Sequence, residues 1–366
     1  MLSAGRATDV RSIGPLIIWT VICAALLGLC SCTGSSAATV SDFVQLCGMQ
    51  LCLHGEPFVI HGATSYDTYD HPETEVALAL RAQLNTLAIV EFETRHHQLS
   101  DTMSEATWTR IDKFIATAKT SQLHVILTLS SYAQSLQQAG QTPTRTDWNN
   151  YLAFIANRVN TVTHVKYKDE PAIAMVQLWG EICYPGEIDS TCPAGTSGTA
   201  QDMVDFYHRT ITEWHALAPN ILATTGGFSH LSNSTSSGIP WQTIMSDPAN
   251  PLCELEVNSP SDTSQSVGKV TRLCAQIRKP WYLAAWSACY DDHGYPFYTP
   301  SDEAMAGHAQ DMYDIERGGP PAAVPAVGSE FWNLKDAGNT PGHCDIGPSF
   351  PRTFAVVQEN VVSRAR

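Results

Sequence analysis

The run Ile173-Ala174-Met175-Val176-Gln177-Leu178-Trp179-Gly180-Glu181 is apolar almost throughout, then ends on a glycine and a carboxylate. Such a run, without the alternation of a half-exposed strand, predicts a strand covered on both faces. Downstream, Met203, Phe206, Tyr207, Ile211 and Trp214 recur at helical spacing, so the strand is followed by an amphipathic helix. The same unit repeats in both directions. Strands are predicted at Phe58–Ile60, Thr86–Phe92, Val125–Leu129, Ile221–Thr225, Cys253–Val257, Trp281–Trp286 and Ala326–Trp332. Helices are predicted around Val76, Leu80 and Leu84, around Trp108, Ile111, Ile115 and Ala118, and over Trp148–Val159, Val267–Ile277 and Glu303–Ile315, with a terminal helix from Thr353. Repeated βα units imply a parallel sheet coated by helices, and eight of them close into a (β/α)8 TIM barrel, here a single α/β domain. The alternative is an open doubly wound sheet, but no GxGxxG follows the first strand, which disfavours its dinucleotide-binding form.

The chain has 366 residues, enough for one barrel of about 250 residues plus insertions. Hydrophobic content is 43%, charged content 16% and formal net charge −15. That charge repels phosphate backbones and argues against a nucleic-acid partner. At the N-terminus Arg6 and Arg11 precede an apolar run from Ile13 to Leu29, then small residues and Thr33-Gly34-Ser35-Ser36. The pattern predicts a signal peptide over residues 1–32, a flexible tether over 33–42 and the barrel over 43–366. Leu29-Cys30-Ser31-Cys32 resembles a bacterial lipobox, so the expected location is extracellular or cell-surface, with a lipid on Cys32 as the only membrane contact; the alternative is cleavage and release. Of 11 cysteines, three lie in the leader, and the eight that remain suggest disulfides outside the cytoplasm. Local pairings would be Cys47–Cys52, Cys183–Cys192 and Cys289–Cys344. Neither CxxC nor HExxH occurs, and His96 with His97 lacks ligand spacing, so no metal or cofactor is expected.

In such barrels chemistry sits at the C-terminal ends of the strands. Those ends carry Glu181 on the fourth strand, Glu256 and Asn258 on the sixth, Trp286 on the seventh, and Glu330 with Trp332 on the eighth. Carboxylates among aromatic rings suit glycoside cleavage, in which one carboxyl protonates the leaving oxygen and another acts as nucleophile or base. Tyr66, Trp179, Trp286 and Trp332 are candidate sugar-stacking rings. No GxSxG elbow supports a serine hydrolase.

Arg158-Val159-Asn160-Thr161-Val162-Thr163 and Tyr167-Lys168-Asp169-Glu170-Pro171-Ala172-Ile173 resemble the segment before the fourth strand in family 5 glycoside hydrolases of the endo-β-1,4-mannanase type. Weaker echoes are Phe58 to Tyr66, Asn85-Thr86-Leu87, Trp108 with Ile111-Asp112, and Phe331-Trp332, so the likeness extends over about Phe43 to Asn360. It implies a β-linked polysaccharide substrate, Glu181 as general acid/base, and Trp332 as a subsite floor with Asn258 nearby. The departures are specific. Ala88 stands where the family has arginine, Gly180 where it has asparagine, Asn258 where it has histidine, and Ala285, five positions after Pro280, where it has the nucleophilic glutamate. Alanine has no oxygen with which to attack an anomeric carbon. Two readings follow: a glycosidase whose second carboxylate has moved, with Glu330, Glu256, Asp291 or Asp292 as candidates, the alternative for Glu330 and Glu256 being that they lie one layer too deep as buried polar pairs, or a glycan-binding pseudoglycosidase.

Overall fold

The computed structural model describes residues 41–66, 68–89, 105–180, 182, 198–229, 231, 239–257, 260–288, 301–336 and 345–364. The leader and most of the tether lie outside them, and among the described residues no helix is long and apolar enough to cross a membrane.

Three short antiparallel strands come first: β1 (Gln45–Cys47), β2 (Gln50–Leu53) and β3 (Glu56–Phe58). The expected Cys47–Cys52 disulfide joins β1 to β2, with Cα atoms 5.9 Å apart. The barrel strands follow: β4 (Ile60–Ser65), β5 (Thr86–Ile89), β6 (His124–Thr128), β7 (Ile173–Gln177), β8 (Leu222–Thr224), β9 (Cys253–Val257), β10 (Trp281–Ser287) and β11 (Gly328–Trp332). All eight are parallel, in the order β8-β7-β6-β5-β4-β11-β10-β9. The circle closes between β8 and β9, where Phe228 bridges Leu255 and the Glu256 N–H donates to the Phe228 carbonyl at 3.1 Å. The predicted (β/α)8 barrel is therefore the fold.

The first barrel strand departs from expectation. It starts at Ile60 rather than Phe58 and runs on through His61-Gly62-Ala63-Thr64-Ser65. These small and polar residues carry little hydrophobic signal, yet all six positions are buried because neighbouring strands and helices cover them. Phe58 belongs to the small sheet, which packs Val44 and Leu51 against Ile60, Ala88 and Ile126 inside the barrel. The sheet thus plugs the N-terminal end.

The helical coat is α1 (Pro72–Arg81), α2 (Glu105–Thr120), α3 (Ser130–Gln138), α4 (Asn149–Asn157), α5 (Ala200–Leu217), α6 (Trp241–Ser246), α7 (Pro260–Ile277), α8 (Asp302–Glu316) and α9 (Pro351–Arg364). Helix α5 starts with a capping box, in which Thr199 accepts from the Asp202 N–H and Asp202 accepts from the Thr199 N–H. Its predicted stripe, from Met203 to Trp214, is buried against the barrel. Before β7, the motif that carries the strongest family likeness forms a buried polar hub. The Asp112 carboxylate on α2 accepts from Arg158 Nη2 at 2.7 Å, Tyr167 Oη at 2.7 Å and Thr161 Oγ1 at 2.9 Å. Glu170, also fully buried, pairs with Lys119 Nζ at 2.9 Å. These residues fix the approach of the chain to β7; they do not reach the rim.

Candidate active site

At the C-terminal rim, Tyr66 follows β4 and Trp332 ends β11, and both are half-buried. The Trp332 indole N–H donates to the Tyr66 hydroxyl at 2.9 Å, with the rings edge-on and their centroids 6.5 Å apart. The following residue, Asn333, donates from its amide to Asp345 at 2.9 Å, and the Leu334 N–H donates to the Thr64 carbonyl at 2.9 Å. The aromatic corner is therefore held from behind by polar contacts of the β11 exit.

Below the rim, Glu330 lies on the same face of β11 as Trp332 and pairs in register with Gly62 on β4. A Cβ on Gly62 would come within 2.7 Å of the Glu330 side chain, so the glycine makes room for it. Glu330 is fully buried, and the Tyr282 hydroxyl on β10 donates to its Oε1. Burial pushes its pKa up to about 8, partly offset by the Tyr282 hydrogen bond and reinforced by the nearby Glu254 carboxylate. Glu330 is accordingly neutral near pH 7. As a candidate displaced carboxylate it is misplaced: it sits one layer beneath the cup in a polar pair.

Glu254 on β9 lies equally deep. It accepts from Gly226 N at 2.6 Å and Thr225 Oγ1 at 2.8 Å, and burial raises its pKa against those hydrogen bonds. Glu256, two residues on and one layer nearer the rim, is 8% exposed. Its Oε1 lies 2.8 Å from where a Cβ on Gly180 would stand, and its Cγ lies 2.6 Å from a Cβ on Gly227. Gly180 and Gly226 are also pressed backbone to backbone, since a Cβ at 180 would meet the Gly226 carbonyl oxygen at 2.4 Å. Gly226 takes φ +98 and Gly227 φ +94, a region that favours glycine.

Opposite Glu256, β10 is irregular. Leu283 pairs with Leu255 and Ala285 with Glu256, so one extra residue is accommodated between them. Ala285 is half-buried beside Glu256. The same bulge corrects the expectation for Trp286. Strict alternation from Tyr282 would aim it inward, but the slip turns it out, where it is fully buried between Tyr313 and Phe331 with centroids 5.5 and 5.7 Å away. Trp179 is also a packing residue rather than a sugar-facing one. It is 4% exposed with its ring against Phe206, because β7 stops at Gln177 and alternation no longer sets its direction. Its carbonyl accepts from Tyr207 Oη at 2.6 Å.

Glu181, Asn258, Asp291, Asp292, His96 and His97 lie outside the described residues, as do Cys183, Cys192, Cys289 and Cys344. Among the described residues no group of three or more His, Cys, Asp or Glu side chains is arranged to hold a metal ion. Two members of the buried layer, Glu254 and Tyr282, went unnoticed in the sequence. The signal was present for Glu254, since Glu254-Leu255-Glu256 places both glutamates on one face of a strand.

No family model matches the chain. Among solved structures, the endo-1,4-β-mannanase of Rhizomucor miehei superposes with a TM-score of 0.68 over 88% of this chain and 99% of that one, at 17% identity. The endo-β-1,4-mannanase of Thermotoga petrophila gives a TM-score of 0.64 over 84% and 77%, also at 17% identity. The fold is that of the mannanase barrels. In sequence, the chain is 25% identical over 189 residues to mannan endo-1,4-beta-mannosidase 8 of Oryza sativa subsp. japonica, covering 42% of this chain and 49% of the relative. It is 27% identical over 232 residues to putative mannan endo-1,4-beta-mannosidase 4 of Arabidopsis thaliana, covering 54% of each. The chain thus spans about half the length of the curated relatives it matches. In this mannanase-type barrel the aromatic corner and Glu256 occupy the rim at which such barrels carry their active sites.

Proposed function

We propose that the chain is an exported glycoside hydrolase of the family 5, mannanase-like type, acting on β-1,4-linked polysaccharide of mannan-like or glucan-like composition. Glu181, which directly follows Gly180 beyond β7, is the general acid/base, and Ala285 stands in the place of the usual seventh-strand nucleophile. Export by the N-terminal leader, with a lipid on Cys32 holding the barrel at the cell surface, matches a polymeric substrate too large to enter a cell. The observation that carries the reading is the Trp332–Tyr66 corner at the rim of a mannanase-type barrel, a half-buried ring pair on which a sugar face can stack. A second reading, a glycan-binding pseudoglycosidase, is favoured by the methyl group of Ala285 at that rim.

Isothermal titration with mannohexaose and cellohexaose, alongside reducing-sugar release from mannan, tests both readings. Binding with turnover is expected, and Glu181→Gln should lower kcat by roughly 10²–10⁴-fold, the usual share of a general acid, while binding survives. Binding without turnover selects the pseudoglycosidase. Absence of binding to any β-linked glycan removes both.

A further inference from the structure

We propose that Cys253 and Cys274 are a disulfide-forming pair that closes during oxidative folding and pins β9 to α7. The inference stands apart from the glycosidase reading; it borrows only the export reading, for the compartment in which the oxidant acts.

Cys253 opens β9, and Cys274 lies in the last turn of α7. Two consecutive residues of the turn between α7 and β10 bring them together. The Lys279 N–H donates to the Cys274 carbonyl at 3.0 Å, and the Cys253 N–H donates to the Pro280 carbonyl at 3.0 Å. Both side chains are fully buried in one apolar cluster that includes Val270 and Trp281. The two thiols lie within hydrogen-bonding reach of each other, and the Cys274 thiol also donates to the Val270 carbonyl at 2.9 Å. Cys47 and Cys52 are already joined, so among the described residues each of the two thiols has the other as its one available partner.

Such a pair is inert once the barrel has closed. Burial, with the Cys253 thiol alongside, raises the Cys274 pKa far above its ordinary value, so Cys274 supplies no thiolate. Cys253 is sealed from any oxidant in solution. The reaction therefore belongs to the folding chain, before α7 settles on β9. One cysteine thiolate attacks a disulfide oxidant of the glutathione or dithiol-oxidoreductase class, and the second cysteine displaces it from the mixed disulfide. One S–S bond forms in the chain and one breaks in the oxidant, which takes two electrons and the two thiol protons and leaves as two thiols. The link falls where the barrel is least tied. Among the described residues β9 meets β8 through a single bridge, Phe228 with Leu255, and the cross-link fastens β9 from the helical side.

The test refolds the full-length chain from urea in oxidised and reduced glutathione, alkylates the remaining thiols and digests without reduction. Trypsin cuts after Lys269 and Arg272, so Cys253 and Cys274 fall on different peptides. The expected result is a mass joining these two peptides, lost on adding dithiothreitol. A chain refolded in dithiothreitol, and given oxidised glutathione only when native, should keep both thiols. Melting gives a second reading. The oxidised chain should melt above the reduced one, and Cys253→Ala/Cys274→Ala should narrow that gap by about 5 °C, as expected for a loop of about 20 residues. Comparing the gaps cancels the packing lost in the variant and the effect of other disulfides; if the variant does not fold, the peptide masses decide. Recovery of Cys253 and Cys274 as alkylated thiols after oxidative refolding, or linked to other cysteines, overturns the proposal. Ready closure in the native reduced chain overturns its assignment to folding. A linked pair on refolding, but free thiols in protein recovered from the producing cell, supports the pairing and counts against export instead.

Discussion

At the scale of single residues, Gly180 is the most constrained position at the rim. An asparagine there, as the family likeness would have it, meets the Gly226 carbonyl oxygen at 2.4 Å and the carbonyl carbon at 3.0 Å, both backbone atoms that cannot swing aside. Gly180→Asn is therefore expected to destabilise the barrel by about 3 kcal/mol or more, read from urea or thermal unfolding. Adding Glu256→Ser should not restore stability, because the backbone clash remains. If the single variant melted like the wild type, the close approach of the two glycines would be wrong. Single residues also show what could be read from sequence. The common face of Glu330 and Trp332 on β11 followed from two-residue alternation, whereas the contact of Trp332 with Tyr66 after the first barrel strand did not. The outward aim of Trp286 and Trp179 did not, because each lies past a point where alternation breaks: a bulge in β10, and the end of β7 at Gln177. Neither break leaves a mark such as glycine or proline at the position concerned.

At the scale of elements, seven of the eight barrel strands were legible as apolar runs, since burial on both faces demands them. The first was misplaced because small residues bury without a hydrophobic signature. The plug sheet was illegible, its outer strands Gln45–Cys47 and Glu56–Phe58 having little buried surface. The motif most like the mannanases proves to be architectural: it joins α2 to the segment entering β7 through Asp112. That carboxylate is fully buried and receives Arg158, Tyr167 and Thr161 at once. Asp112→Ala leaves Arg158 largely buried with, among the described residues, only the exposed Glu105 as a counter-ion, and should cost about 3–5 kcal/mol in chemical denaturation. Helix α5 gains a smaller increment from its capping box. Loss of under 1 kcal/mol in Asp112→Ala would show that the hub is not structural.

At the scale of the whole molecule, Glu254 and Glu330 are fully buried acids of the barrel interior. Glu330, neutral when folded with a pKa of about 8, would ionise near pH 4.5 once unfolded. Between those values the folded state holds a proton that the unfolded state has lost. Stability therefore falls by about 1.4 kcal/mol per pH unit as pH rises from 4.5 toward 8, and the contribution is fully present only below that window. Glu330→Gln keeps an acceptor for Tyr282 and removes the titration. The variant should unfold at a higher temperature than the wild type at pH 8 and at a similar temperature at pH 4.5. A pH-independent difference between the two would mean that Glu330 is ionised inside the barrel.

The way the cylinder closes bears on how it would first give way. Seven neighbouring strand pairs share a ladder of registered partners, but among the described residues β8 and β9 meet through one bridge beyond the end of β8, with Glu256 supplying the amide. Like a cask with one loose stave, such a molecule would part there before anywhere else. Glu256 lies at that joint, so under the proposed glycosidase reading a sugar spanning the mouth would act as a hoop across it.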